Sequence, residues 1–131
     1  MKYTESKCQQ AVIKWWAIAH RGLGIPDPRL LFAIPNGGAR NPITGAILKA
    51  EGVRAGVPDL FLAVPNTTRG GRYHGLFIEM KKWANKPTLA QVEVMARLRA
   101  EGYDCRVAYS FDQATTAITA YLVGKEAPAP C

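Results

Sequence analysis

The sequence predicts an α/β fold with one mixed central sheet flanked by helices, and three observations carry that prediction. Two apolar runs without alternation, Leu60 to Val64 and Leu76 to Ile78, flank a turn rich in Gly, Pro and Asn, as expected for paired strands covered on both faces. Stretches with helical three- and four-residue spacing stand before and after them. A helix-like stretch between the second run and a later alternating one implies a right-handed crossover to a parallel strand.

Thr4 to about Arg21 reads as an amphipathic helix, with Cys8, Ala11, Val12, Trp15, Ile18 and Ala19 on one stripe. Ser6 and Gln9 fit a capping box, and Gly22, Gly24 and Pro26 end the segment. Trp16 is either a second core contact or an exposed residue. Glu5 falls in the first turn, where the helix dipole favours acid. Leu30 to Ile34 reads as a short strand, stopped by Pro35, Asn36, Gly37 and Gly38. Ile43 to Glu51 can form a short helix closed by Gly52. Asn36, Arg40, Lys49 and Arg54 decorate this connection. It is either a plain solvated loop or a phosphate-attracting one, since glycine-rich backbone permits close approach and basic groups draw an anion.

Between the apolar runs, Pro65, Asn66, Gly70, Gly71 and Gly75 mark an antiparallel hairpin turn. Pairing Val64 near Leu76 makes partner numbers sum to about 140, at one residue per strand step. Asp59 then faces Lys81, and Glu79 faces Phe61. Glu79 and Lys81 share a strand face, so these three charges converge at one end of the hairpin. Arg69, Arg72 and His74 read as a solvated hairpin tip. Carboxylates gathered in an apolar setting repel one another and lose hydration. A hard divalent cation with oxygen ligands resolves that conflict. The bland alternative is a charged fringe at a surface hairpin end.

Thr88 caps a helix running to about Glu101, with Leu89, Val92, Met95, Ala96 and Leu98 to Arg99 as its buried stripe. Gln91 completes a capping box with Thr88. Tyr103 to Tyr109 alternates as a strand, and Ser110 or Asp112 starts a last helix to about Leu122. Residues 1–124 are expected to form a single domain, and 125–131 a flexible tail.

A chain of 131 residues suits one domain with a real core, and 48% hydrophobic against 21% charged residues excludes a disordered chain. The net charge of +7 favours a polyanionic partner, nucleic acid first and an anionic membrane surface second. Cys8, Cys105 and Cys131 are three scattered cysteines without metal-type spacing. Cys8 and Cys105 sit among core-like neighbours and read as free thiols in a reducing compartment. With no signal-like or membrane-spanning run, a cytoplasmic location is expected.

Pro58-Asp59 followed by Glu79-Met80-Lys81 resembles the signature of the PD-(D/E)XK nuclease superfamily. Gly56-Val57-Pro58-Asp59-Leu60, the strand end Ile78-Glu79-Met80-Lys81 and Gln91 downstream resemble, more narrowly, its VRR-NUC (virus-type replication–repair nuclease) branch. The resemblance spans Glu5 to about Leu122. It implies a restriction-endonuclease-like αβββαβ core with an extra C-terminal helix, in agreement with the periodicity. It also implies a Mg²⁺- or Mn²⁺-dependent deoxyribonuclease. Asp59, Glu79, the Met80 backbone carbonyl and Glu5 would hold the metal, with Gln9 beside Glu5. Asp59, Glu79, Lys81 and Gln91 would form the catalytic set, and Asn36, Arg40, Lys49, Arg54 and Lys82 would meet DNA. Stand-alone phage and bacterial members look like homodimers that act on branched DNA such as four-way (Holliday) junctions. Two alternatives stand beside this reading: a non-catalytic DNA-binding module that retains the nuclease fold, and a small restriction-like endonuclease.

Overall fold

The computed structural model describes residues 2–35 and 42–124. Asn36, Arg40, the Asn36–Gly38 part of the first turn, and the expected tail with Cys131 lie outside the described residues. Four helices, α1 (Lys2–Ala19), α2 (Pro42–Ala50), α3 (Leu89–Ala100) and α4 (Phe111–Leu122), accompany four strands, β1 (Leu31–Ala33), β2 (Leu60–Leu62), β3 (Leu76–Met80) and β4 (Asp104–Ala108). The strands lie in the order β1-β2-β3-β4. The first two junctions are antiparallel and β3 to β4 is parallel, which is the crossover that strand–helix–strand order demands.

Leu31, Leu60, Leu62, Leu76, Ile78 and Met80 turn one sheet face toward Val12 and Trp16 of α1 and Ile118, Tyr121 and Leu122 of α4. α3 lies on the other face, where Cys105 is buried and its thiol donates to the Met95 carbonyl at 3.8 Å. That second face is only partly covered, contrary to the expectation from the unalternating runs. Phe61 and Phe77 are half-buried there and stack at 4.2 Å, and Phe32 meets Phe61 edge-on. Aromatic rings supply apolar area without full burial, so an unalternating sequence was compatible with a half-open face.

The hairpin register differs from expectation by two residues. Leu60 pairs with Ile78, Phe61 with Phe77 and Leu62 with Leu76, so Glu79 does not face Phe61 and Asp59 does not face Lys81. Asp59, one step before β2, instead falls beside Glu79. The longer turn explains the slip. The Asn66 N–H donates to the Tyr73 carbonyl at 3.1 Å, while the Asn66 side chain accepts from Tyr73 N at 2.9 Å and donates to the Tyr121 carbonyl at 2.9 Å. These bonds absorb Val64 and Gly75 into the loop. Because side chains alternate with period two, an even slip leaves every residue on its expected face.

Three local expectations are corrected. α1 begins at Lys2, so Ser6 and Gln9 sit within it rather than capping it, and the Ser6 hydroxyl accepts from Gln10 Nε2 at 3.0 Å. Of its expected stripe, Val12 is buried and Cys8 and Trp15 pack against the core, Trp16 joins them, and Ile18 is 85% exposed. The Trp16 indole fixes that rotation by donating to the Pro28 carbonyl at 2.8 Å. In α3 only Met95 is buried; Leu89 and Val92 face outward, because the helix packs chiefly on β4 and no described helix lies beyond it. Arg69 is not a solvated tip residue: its guanidinium donates to the carbonyls of Leu23 and Gly24, tying the hairpin turn to the end of α1.

The Tyr121 hydroxyl donates to the Val64 carbonyl at 2.6 Å inside the core. Tyr121→Phe leaves that carbonyl without its hydroxyl partner, and urea unfolding is expected to show a loss of about 1–3 kcal/mol. An unchanged midpoint would show that the bond contributes nothing net.

Candidate active site

The site is assembled where β3 ends, by three consecutive backbone N–H groups that reach three different elements. Met80 N donates to Asp59 Oδ2 at 2.8 Å, Lys81 N to the Ala108 carbonyl at 2.9 Å, and Lys82 N to Glu5 Oε2 at 3.1 Å. The bonds to Asp59 and Glu5 are charge-assisted and the one to Ala108 is a backbone pair, so the end of β3 is held to the start of β2, to β4 and to α1 at once. Glu5, which could have been only a helix-start residue, is thereby placed at this junction.

Asp59 is delivered by a loop whose geometry only glycine permits. Gly56 has φ +90°, and a Cβ there would lie 2.6 Å from the Ala90 carbonyl oxygen of α3. The close approach seats Gly56 on α3 three residues before Asp59, and the intervening Pro58 is buried. The Thr88–Gln91 capping box starts α3 as the sequence indicates, with Gln91 Oε1 accepting from Thr88 N at 2.8 Å. The same Gln91 amide donates through Nε2 to Glu79 Oε2 at 2.9 Å. One end of the Gln91 amide thus fixes the helix and the other holds the Glu79 carboxylate.

Glu79 is 3% exposed. Lys81 Nζ stands 3.9 Å from Glu79 Oε2, and both side chains are largely sheltered. Glu79 Oε1 is buried without any hydrogen-bond partner. Burial first, and then the negative charge of Asp59, push the Glu79 carboxyl up to about 8, against the pull of Lys81; Glu5 adds a smaller push. At 3% exposure Glu79 is enclosed rather than part of a solvated fringe.

A cleft of about 490 Å³ opens beside these groups, lined by Glu5, Gln9, Gln10, Ile13, Asp59 and Met80 among others. Gln10 and Ile13 are additions to the sequence-based candidates. Their signal was legible, since Glu5, Gln9 and Ile13 repeat every four residues and therefore share a helix face. Among the residues expected to meet DNA, Lys49, Arg54 and Lys82 are exposed, and Lys82 reaches Glu5 through its backbone.

Could these residues hold a divalent cation? Among the described residues, no group of three His, Cys, Asp or Glu side chains is close enough to form a metal cluster unaided. Two carboxylates, one of them with an unpartnered buried oxygen, and a backbone carbonyl nevertheless match what a hard cation requires, with water completing its shell. The unpartnered Oε1 is the decisive feature, because a buried lone oxygen of an acid is costly unless something positive meets it.

A mixed sheet with α1 and α4 on one face and α3 on the other, carrying an Asp and a Glu-x-Lys at one strand end, defines a restriction-endonuclease-like fold. Residues 3–112 match the VRR-NUC domain model, and the chain belongs to that family, a family of nucleases. A solved structure described as a VRR_NUC domain protein is similar, with 31% identity, a TM-score of 0.74, and coverage of 94% of this chain and 91% of that one. No curated protein matches. Among the described residues, no helix is long and apolar enough to cross a membrane.

Proposed function

We propose that the protein is a metal-dependent endonuclease that hydrolyses phosphodiester bonds in branched DNA, such as four-way junctions, and works as a homodimer. The buried, unpartnered Glu79 Oε1 beside Asp59 and Lys81 carries this reading. Asp59, Glu79 and the Met80 carbonyl would hold Mg²⁺ or Mn²⁺, with Glu5 in support from the α1 side. When bound, the cation polarises the scissile phosphate and lowers the pKa of a water.

The chain's own residues prepare that chemistry. Gln91 fixes the rotamer of Glu79, and the Met80 N–H fixes Asp59. The Lys81 ammonium, 3.9 Å from Glu79 Oε2, would steady an attacking water or the negative charge that grows on the phosphate. With the Glu79 carboxyl raised by burial and by Asp59, it must lose its proton before it serves as a ligand, so affinity for the cation, and cleavage at subsaturating cation, should rise with pH. A binding module would gain nothing from carboxylates turned toward phosphate, which sets the enzyme reading ahead.

A homodimer would give the exposed apolar side chains of Leu89 and Val92 on α3, or of Ile43 and Ile47 on α2, a surface to pack against. A domain this small has one site, and paired cuts in a symmetric junction need two. The test is an incision panel of four-way junction, flap, fork, linear duplex and single strand, each with Mg²⁺ and with Mn²⁺. Paired incision of the junction is expected, with light scattering giving twice 14.3 kDa. Asp59→Asn and Lys81→Ala should each lower the rate by roughly 100-fold or more. Variants that cut like wild type would overturn the site, and a monomeric mass would remove the dimer.

A further inference from the structure

The opposite end of the parallel strand pair carries a second charged feature that the cleavage site does not use. β3 and β4 run from the Leu76–Asp104 pair to the Met80–Ala108 pair, and the candidate active site lies beyond the latter. At the former, on the outer edge of β4, a cleft of about 540 Å³ is lined by Arg72, Tyr73, Arg99, Asp104, Cys105 and Arg106 among others. A smaller recess of about 230 Å³ continues from it past Arg72 and Arg106 to Gly124.

Three guanidiniums share this concave space with one carboxylate. Asp104 is buried and pairs with Arg106 Nε at 3.3 Å. Arg99 donates to the Cys105 carbonyl at 2.9 Å, a bond that also blunts the open edge of β4. Arg72 lies over the Tyr73 ring, 5.4 Å from its centroid, with Nη2 3.3 Å from the Tyr73 hydroxyl. These contacts set the planes of the guanidiniums while engaging one nitrogen each of Arg99 and Arg106, and each guanidinium has five donors in a fork matched to phosphate. One aspartate against three arginines leaves the cleft positive.

We infer that this cleft binds a backbone phosphate of the same nucleic acid whose scissile phosphate lies at Asp59 and Glu79, a few base pairs away. The inference rests on the nuclease reading above. Four strand steps separate the two ends of β3, about 13 Å at roughly 3.3 Å per step. Along a duplex that is about four phosphates of one strand, at roughly 3.4 Å each. Nucleic acid is favoured over a membrane or an acidic peptide because one rigid sheet carries both the cleft and the hydrolytic groups. The cleft thus anchors the arm of the substrate and sets which phosphate reaches the carboxylates.

The test measures binding with Ca²⁺ in place of the catalytic cation, using a long duplex or junction arm and a duplex extending only about two base pairs to either side of the scissile phosphate. Arg72→Ala and Arg106→Gln are expected to weaken binding of the long DNA about 5- to 10-fold each. Each should also reduce the slope of log affinity against log salt by about one. Binding of the short DNA should be unchanged, whereas on long DNA the cut should spread to phosphates beside the wild-type position. Arg72→Lys should restore part of the loss, and Asp104→Asn should tighten binding, an effect that a purely structural role for these residues does not give. Should Arg106→Gln fail to fold, the exposed Arg72 decides alone. Equal affinities for wild type and Arg72→Ala on long DNA, or equal losses on long and short DNA, overturn the cleft. Failure of wild type itself to bind any DNA would instead overturn the nuclease reading and the cleft with it.

Discussion

Glu79→Gln is expected to abolish cleavage and, at about pH 9, to raise the melting temperature of the metal-free protein. The two effects have one cause. In the folded protein the Glu79 carboxyl titrates near 8, against 4.5 ordinarily, because it is buried and faces Asp59. Between those values the folded chain holds a proton that the unfolded chain has released. Stability from the neutral carboxyl is therefore fully present below about pH 4.5, and is lost as pH rises through about 8. The loss is on the order of a few kcal/mol. Glutamine cannot ionise, so the variant should show none of this decline. Its amide oxygen can still accept from Gln91 Nε2. Adding Mg²⁺ reverses the ranking: at about pH 9 the cation should raise the melting temperature of wild type, by binding the folded state alone, and leave Glu79→Gln unmoved. Calorimetric scans at about pH 6 and about pH 9, with and without Mg²⁺, decide it. A variant that declines with pH as steeply as wild type would show that another group titrates, and the electrostatic account of the site would fall.

Gly56→Ala should be the most damaging methyl that can be added to this chain near the site. Two penalties combine there. The residue has φ +90°, where a Cβ costs about 1–2 kcal/mol, and the new carbon would sit 2.6 Å from the Ala90 carbonyl. Overpacking against backbone adds about 1–3 kcal/mol, since a helix carbonyl cannot move aside as a flexible side chain can. A total near 3 kcal/mol or more is expected from urea unfolding. Gly52→Ala is the control, because Gly52 has φ +105° with open space around its would-be Cβ. That variant should lose only the conformational part, about 1–2 kcal/mol. The prediction also reaches function. Relief of the clash moves the Gly56–Asp59 loop away from α3, and so separates Asp59 from the Glu79 that Gln91 holds. Cleavage should therefore fall in Gly56→Ala even under conditions where it remains folded, and stay near wild type in Gly52→Ala. Equal stabilities for the two variants would show that the close approach to Ala90 is not a constraint.

Some of the site could be read from residue order because its rules are local. Pro58-Asp59 and Glu79-Met80-Lys81 lie at strand ends whose apolar runs are visible in the chain. The Thr88–Gln91 box depends on a spacing of three residues and nothing else. Face assignments survived a wrong register, because alternation has period two and the slip was even. The register itself was not legible: it depended on Asn66 bonding to Tyr73 and to Tyr121, a residue far along the chain. The buried stripe of α3 was misplaced, and that of α1 was wrong only at Ile18, for a related reason. Periodicity shows that a helix has an apolar face, but the Trp16 bond to Pro28 and the bare far side of α3 determine which residues are covered.

The sequence alone determined the order of helices and strands, the convergence of Asp59, Glu79 and Lys81 on one hairpin end, and the capping role of Gln91. Those follow from spacing, which is fixed by the geometry of helix and strand. The tertiary structure alone decided that Glu79 is enclosed with one oxygen unpartnered, that Glu5 meets Lys82 across the chain, and that Arg72, Arg99 and Arg106 surround one cleft. Burial and charge proximity depend on which distant segments meet, and no local pattern in the chain encodes that meeting.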